Sequence, residues 1–355
     1  MSSFHIVVDI SSNGFGHVAQ LAPILNSLSS NYDLKFTIRT AVKYRLCKEF
    51  FDFDFSYQDP PPDPEIVMKG PLEVDSLSFF KEYMSLYNNW SDIVVGDSRT
   101  LKHLGANLVI SNISPVSFSS SSVLGIPSIG ICSLNWADIF LAYCSFDPLY
   151  KEILQLIRSA YSEASKIIKL EPHMPMEWLQ NSISVGPVAQ LGSDRRELLK
   201  QKFKFDKLVS VNLGGILPID TDVSLPSIDS VTWIVPNSLA AKRSDIIPSS
   251  ELKIPVIDIL TTSDALLSKA GYGSVTECSV NSTRLMYTLR DDWGENIFLQ
   301  SWMASHCTSL SMTRSLMREG LFIDPLMKLL DLPLTSPAKP TGIAESLQII
   351  RRFIY

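Results

Sequence analysis

Short apolar, β-branched runs recur along the chain, each followed by glycine or polar residues and then by a stretch of helical spacing. The first run, residues 4–10, is almost continuously apolar, which predicts a strand buried on both faces. A loop, Ser11-Ser12-Asn13-Gly14-Phe15-Gly16-His17, comes next. Residues 18–28 carry helical spacing and residues 34–39 read as a second strand. Strand, glycine loop, helix, strand opens a doubly wound α/β domain. Residues 50–64 are aromatic, acidic and proline-rich and predict a loop; residues 77–90 predict a helix. Residues 107–110 and 128–131 predict further buried strands. Pro115 and a serine run (Ser117, Ser119 to Ser122) open the helix between them. Residues 148–164 are helical in pattern, and residues 167–170 and 183–185 read as the last strands of this half.

Gly186-Pro187 breaks the pattern, and the charged stretch 194–207 is where the sequence places a linker. The same grammar then restarts. Residues 208–213 read as a strand ending in Gly214-Gly215, with further strands at 231–235, 256–260 and 284–289. The fold class is α/β, with two Rossmann-like halves and a ligand cleft expected beyond the carboxyl ends of their strands.

Composition narrows the function classes. A chain of 355 residues is long enough for two cores, and 19% charged residues with a net charge of -6 is ordinary for a soluble protein. The acidic balance argues against a nucleic-acid partner, because phosphate backbones need a basic face. The five cysteines include no C-x-x-C pair, which disfavours a zinc site or a disulfide framework and fits a reducing cytoplasm. The first residues lack a basic leader region. The most apolar segment, 124–146, is broken by Pro127, Asn135 and Asp138, so no transmembrane segment is predicted and peripheral membrane contact stays open.

Four motifs carry candidate chemistry. Gly14-Phe15-Gly16-His17-Val18-Ala19 matches the G-x-G-x-x-A dinucleotide fingerprint, but the second strand ends Ile38-Arg39-Thr40 without the acid that would hold a ribose. Arg39 would suit a 2′-phosphate and keeps an NADP reading open. His17, at a loop–helix junction, is either a general base or a histidine that only packs the turn. Gly214-Gly215 makes a turn by itself and offers N–H donors to a diphosphate only if other residues converge there.

The richest stretch is Ser268-Lys269-Ala270-Gly271-Tyr272-Gly273-Ser274-Val275-Thr276-Glu277. Two glycines permit close backbone approach, and a helix N-terminus suits a phosphate. Ser274-x-x-Glu277 also reads as a capping box, with Ser274 as N-cap and Glu277 reaching back to it. That bland reading leaves Gly271, Gly273 and Lys269 unexplained. The fourth motif is Asp291-Asp292-Trp293-Gly294-Glu295-Asn296. Its two aspartates read as a solvated loop, while Glu295 and Asn296 begin a helix. No metal-ligand spacing occurs, and no bound metal or cofactor is expected.

Together these blocks resemble the GT-B nucleotide-sugar glycosyltransferases, nearest to the glycosyltransferase-like domain of L-arabinokinases and its stand-alone bacterial relatives. The likeness includes Asn13 to His17, Ile126-Pro127-Ser128, Asn135 to Ile139, Gly186-Pro187-Val188-Ala189, Val211 to Gly215, Ser268 to Glu277 and Arg290 to Glu295. It implies an acceptor-side domain (1–190), a donor-binding domain (191–340) and a C-terminal helix (341–355) returning to the first domain. It implies that Glu277 holds the ribose of a UDP-sugar or similar donor, with Gly273, Ser274 and Gly215 on the diphosphate and Glu295 and Asn296 at the sugar. His17 would lie near a small-molecule, lipid or glycan acceptor. Lys269, Gly271, Thr276, Gly14, Gly16 and Gly214 complete the expected donor set. Relatives commonly carry histidine, arginine and aspartate where this chain has Asn13, Gln20 and Asn112.

The expected reaction is a metal-independent, inverting glycosyl transfer, since Leu285 stands where retaining members of this fold place a second glutamate. A nucleotide-sugar 2-epimerase and a binding protein that has lost turnover are the alternatives. Gln20 and Asn112 favour the latter.

Overall fold

The computed structural model describes residues 4–11, 15–64, 66–67, 74–214, 223–289 and 293–354. Its contacts divide the chain into two compact units, residues 1–188 with 341–355, and residues 189–340.

The first unit is built on β1 (Phe4–Ile10), β2 (Leu34–Arg39), β3 (Ser56–Gln58), β4 (Leu108–Asn112), β5 (Ser128–Cys132), β6 (Lys166–Leu170) and β7 (Ser182–Val185). These strands form a sheet in the order β3-β2-β1-β4-β5-β6-β7, parallel throughout. The chain runs outward from β1 to β3 and then lays β4 against the other side of β1. That reversal creates a crevice at the carboxyl ends of β1 and β4, where Ile10 and Asn112 pair. A buried ion pair locks the strands beneath: Arg39 of β2 holds Asp9 of β1 at 2.5 Å and Asp97 at 2.6 Å. The C-terminal helix Gly342–Ile350 belongs to this unit. It packs on the helix Phe15–Asn31, buries Ile350, and its Glu345 accepts the Gly186 N–H at 2.8 Å.

The second unit contains β8 (Lys207–Asn212), β9 (Val231–Val235), β10 (Ile246–Pro248), β11 (Ala265–Lys269), β12 (Arg284–Thr288) and β13 (Ser309–Ser311). Their order is β10-β9-β8-β11-β12-β13, again parallel. Side chains alternate between two apolar layers. Val209, Leu267 and Met286 pack with Phe322 and Leu326 on one face. Leu266 and Leu285 pack with Val275 and Leu299 on the other. This two-sided burial is why the strands read as unbroken apolar runs rather than as alternating ones. The reversal of strand order falls here between β8 and β11, where Asn212 pairs with Ser268.

Three expectations are corrected. Residues 256–260 are not a strand but part of the helix Val256–Thr262. Pro255 starts it, and Asp258, buried on that helix, accepts the Ser193 N–H at 2.8 Å and Arg195 Nε at 2.8 Å. The charged stretch 194–207 is not a linker. It contains the helix Arg196–Lys200, and Arg196 bonds Asp264 at 2.9 Å, so its charges knit it onto the second unit. The proline-rich loop at 50–64 includes β3, an edge strand. Among the described residues no helix is long and apolar enough to cross a membrane. All five cysteines are buried free thiols.

Candidate functional site

At the carboxyl end of β1 the chain enters the helix Phe15–Asn31, which places His17 in the first turn. Its Nδ1 lies 2.6 Å from Oδ1 of Asn112, the last residue of β4. Asn112 is fully buried, and its Nδ2 donates to the Ile131 carbonyl at 2.8 Å and to Gln20 Oε1 at 3.1 Å. Gln20 in turn donates to Ser133 Oγ at 2.9 Å. The ring of Trp136 stands 6.1 Å from the imidazole, centroid to centroid. Sequence reasoning noted Gln20 and Asn112 as separate departures; the structure shows them hydrogen-bonded to each other. The signal that joins them is position, since a residue ending β4 at the strand-order reversal must face the helix that follows β1.

The second unit carries an equivalent arrangement. β11 ends at Lys269, and the helix Tyr272–Val280 begins after Gly271, which is its N-cap without any side-chain capping bond. Methyl groups placed on Gly271 or Gly273 would meet no atom of the described residues within 4 Å, so among those residues this helix end is uncovered. Its leading N–H groups and the positive end of the helix dipole suit an anion. Gly214 follows β8 with φ of +59°, a conformation that favours glycine. A Cβ there would lie 3.5 Å from Cε of Lys269, so the lysine stem runs beside the glycine turn. Glycine turn, lysine and helix N-terminus thus share one end of the sheet.

The capping box is corrected. Ser274 lies inside the helix, not at its start, and its hydroxyl meets Ser268 Oγ at 2.9 Å, tying helix to strand. Glu277 therefore has no cap to serve. It is half-buried, and burial pushes its carboxyl up to about 7.

No family model matches the sequence. An L-arabinokinase from Arabidopsis thaliana is 23% identical over 325 residues, which cover 88% of this chain and 31% of that protein. The chain therefore spans about a third of the length of the curated relative it matches. Solved structures align with nearly the whole chain. UGT2 of Phytolacca americana, complexed with UDP-2-fluoroglucose and pterostilbene, superposes at a TM-score of 0.60 with 15% identity, covering 100% of this chain and 94% of that one. The glycosyltransferase SnogD from Streptomyces nogalater gives 0.58 with 14% identity, covering 100% of both. The spinosyn rhamnosyltransferase SpnG, complexed with thymidine diphosphate, gives 0.60 with 11% identity and 99% and 96% coverage.

The chain has the GT-B fold. Within this GT-B framework the remaining predicted residues sort by what they touch. Gly214 does not offer its N–H outward, because Asn212 Oδ1 accepts it at 3.1 Å in a turn closed by its own side chain. Thr276 is fully buried and returns its hydroxyl to the Tyr272 carbonyl at 3.0 Å, which is a helix-internal duty rather than a ligand contact. Glu295 is buried, with Trp293 Nε1 donating to it at 3.3 Å, and Asn296 opens the helix Asn296–His306. Gly16 is exposed in the first turn of its helix. Gly14 and Gly215, together with Asn13, Arg290, Asp291 and Asp292, lie outside the described residues. Arg39 cannot serve a 2′-phosphate, since it is 2% exposed and held by two carboxylates. That removes the NADP reading.

Among the described residues no group of three or more His, Cys, Asp or Glu side chains converges as metal ligands would. Three other histidines are committed to the fold, and the fourth, His103, is exposed. His5 spans the Leu104 carbonyl and Thr37 Oγ1 at 2.9 and 2.8 Å. His173 bonds the Met174 carbonyl, and His306 stacks on Trp302 with centroids 4.4 Å apart.

Proposed function

We propose that the protein is a glycosyltransferase that moves a hexosyl or related sugar from a nucleotide-diphosphate sugar, such as a UDP-sugar, to a hydroxyl acceptor. The observation that carries this reading is Glu277: a carboxyl desolvated by burial, on the helix that begins at Gly271, and with no capping role to explain it. A carboxylate accepts two hydroxyl hydrogen bonds at once, which matches a ribose. The diphosphate would take the leading N–H groups of the helix Tyr272–Val280 and the Lys269 ammonium. Both stabilise charge that develops on the leaving diphosphate, so the reaction runs without a metal. The complexes of similar proteins with UDP-2-fluoroglucose and thymidine diphosphate support this ligand class.

His17 would accept the proton of the acceptor hydroxyl as that oxygen attacks the anomeric carbon from the face opposite the diphosphate. Inversion follows from that direct displacement. The epimerase alternative loses support, because proton shuttling needs several mobile bases and His5, His173 and His306 are held in the fold. The test is transfer from labelled UDP-sugars to a panel of hydroxyl acceptors. His17→Ala should abolish turnover and leave donor affinity nearly unchanged. Full turnover in that variant removes His17 as the base, and donor binding without transfer by the wild type points instead to a binding protein.

A further inference from the structure

The amide of Asn112 can be oriented without ambiguity. The Ile131 carbonyl only accepts hydrogen bonds, so the atom 2.8 Å from it must be the Asn112 nitrogen. That nitrogen also meets Gln20 Oε1 at 3.1 Å, and Gln20 spends its own nitrogen on Ser133 at 2.9 Å, so the chain of donors runs one way. Oδ1 of Asn112 is therefore the atom 2.6 Å from His17 Nδ1. An amide oxygen cannot donate, and the hydrogen between them must sit on Nδ1. A neutral imidazole with Nδ1 protonated carries its lone pair on Nε2.

We propose that Asn112 is a positioning residue that fixes His17 in the Nδ1–H tautomer, and that Gln20 holds Asn112 in the orientation this requires. The proposal deepens the glycosyl-transfer reading, because it names what readies Nε2 to take the acceptor proton. Its structural half stands even if that reading fails. The couple is uncharged. It sets tautomer and ring orientation as a carboxylate would, yet supplies no counter-charge to the imidazolium that forms when the proton is taken. Gln20 and Asn112 are thus not two independent losses but one connected neutral pair, both members buried.

The experiment is a long-range 1H–15N correlation spectrum of the histidine side chains in the 15N-labelled 355-residue chain, recorded well above the imidazole titration range. His17 is assigned by the signals that vanish in His17→Asn. The expected wild-type pattern is a protonated Nδ1 and a pyridine-type Nε2. A protonated Nε2 in the wild type overturns the proposal outright, and no variant is needed for that result. Asn112→Leu should shift His17 towards the Nε2–H form and lower kcat by about 100-fold with donor KM unchanged. Gln20→Met, the milder change, should give a mixture of tautomers. Unaltered signals from His5, His103, His173 and His306 report an intact fold. A persistent Nδ1–H form in a folded Asn112→Leu protein contradicts the positioning role. A wild type with the expected tautomer but no transfer activity refutes the enzymatic reading alone.

Discussion

Arg39 Nε and Asp9 Oδ1 lie 2.5 Å apart between neighbouring strands, at 2% and 0% side-chain exposure. Asp97 closes the other side of the guanidinium at 2.6 Å, and Ser117 donates to Asp9. Burial works against the charged guanidinium, yet the two carboxylates raise its pKa above the usual arginine value. Removing the cation strands two buried acids. Arg39→Met should therefore cost about 3–5 kcal/mol and lower the melting temperature of the first unit by roughly 10 °C, as thermal denaturation would show. An unchanged melting temperature would contradict this account of the unit's centre.

Glu277 predicts a pH dependence of stability. Its folded pKa is raised from 4.5 to about 7 by burial. The folded state thus holds the proton more tightly than the unfolded chain, and this contribution is complete below the unfolded value and lost as pH rises through about 7. Glu277→Gln should match wild type in acid and be more stable than wild type at about pH 8, by on the order of 1 kcal/mol. Parallel urea titrations at the two pH values check it. Equal stability at both pH values would show that the carboxyl is not desolvated.

The same group predicts the pH dependence of binding. Ribose hydroxyls donate best to the ionised carboxylate, so donor affinity should rise as pH rises through about 7 and binding should release a proton below that point. Calorimetric titrations in buffers of different ionisation enthalpy read the proton directly. Affinity that is flat with pH would separate Glu277 from the ribose.

Lys269 and Gly214 give a discriminating pair. Lys269→Met should weaken UDP by about 10-fold and leave uridine unaffected, because in the proposed site the lost charge would face phosphate only. Gly214→Ala forces a side chain to φ of +59° beside the lysine stem, and should cost about 1 kcal/mol of stability as well as diphosphate affinity. Equal losses for UDP and uridine in the lysine variant would place Lys269 elsewhere on the ligand.

Most strands were legible because parallel strands buried on both faces read as unbroken apolar runs, as residues 4–10 and 231–235 do. The same signal misled at residues 256–260, where a short apolar run after Pro255 is helical; periodicity alone cannot separate a buried strand from a buried helical turn. Ser274 misled for a related reason. The capping signature was present in the sequence, but Gly271 starts the helix one turn earlier and Ser274 bonds Ser268 instead. Local spacing brought Lys269, Gly271, Gly273 and Glu277 to notice because they share ten residues of chain. The His17–Asn112 contact spans 95 positions and Arg39–Asp97 spans 58, and no local pattern reports such pairs. Only the packing of strands and helices joins them.

The central claim is that the end of β11 and the helix Tyr272–Val280 bind a nucleotide diphosphate with Glu277 on its ribose. Calorimetric titration of wild type and Glu277→Ala with UDP, thymidine diphosphate and uridine tests it most directly. The account predicts that one or both diphosphates bind the wild type at least about 10-fold tighter than uridine, and that Glu277→Ala loses affinity without losing its fold. Absence of diphosphate binding to the wild type, or undiminished binding to Glu277→Ala, would contradict it.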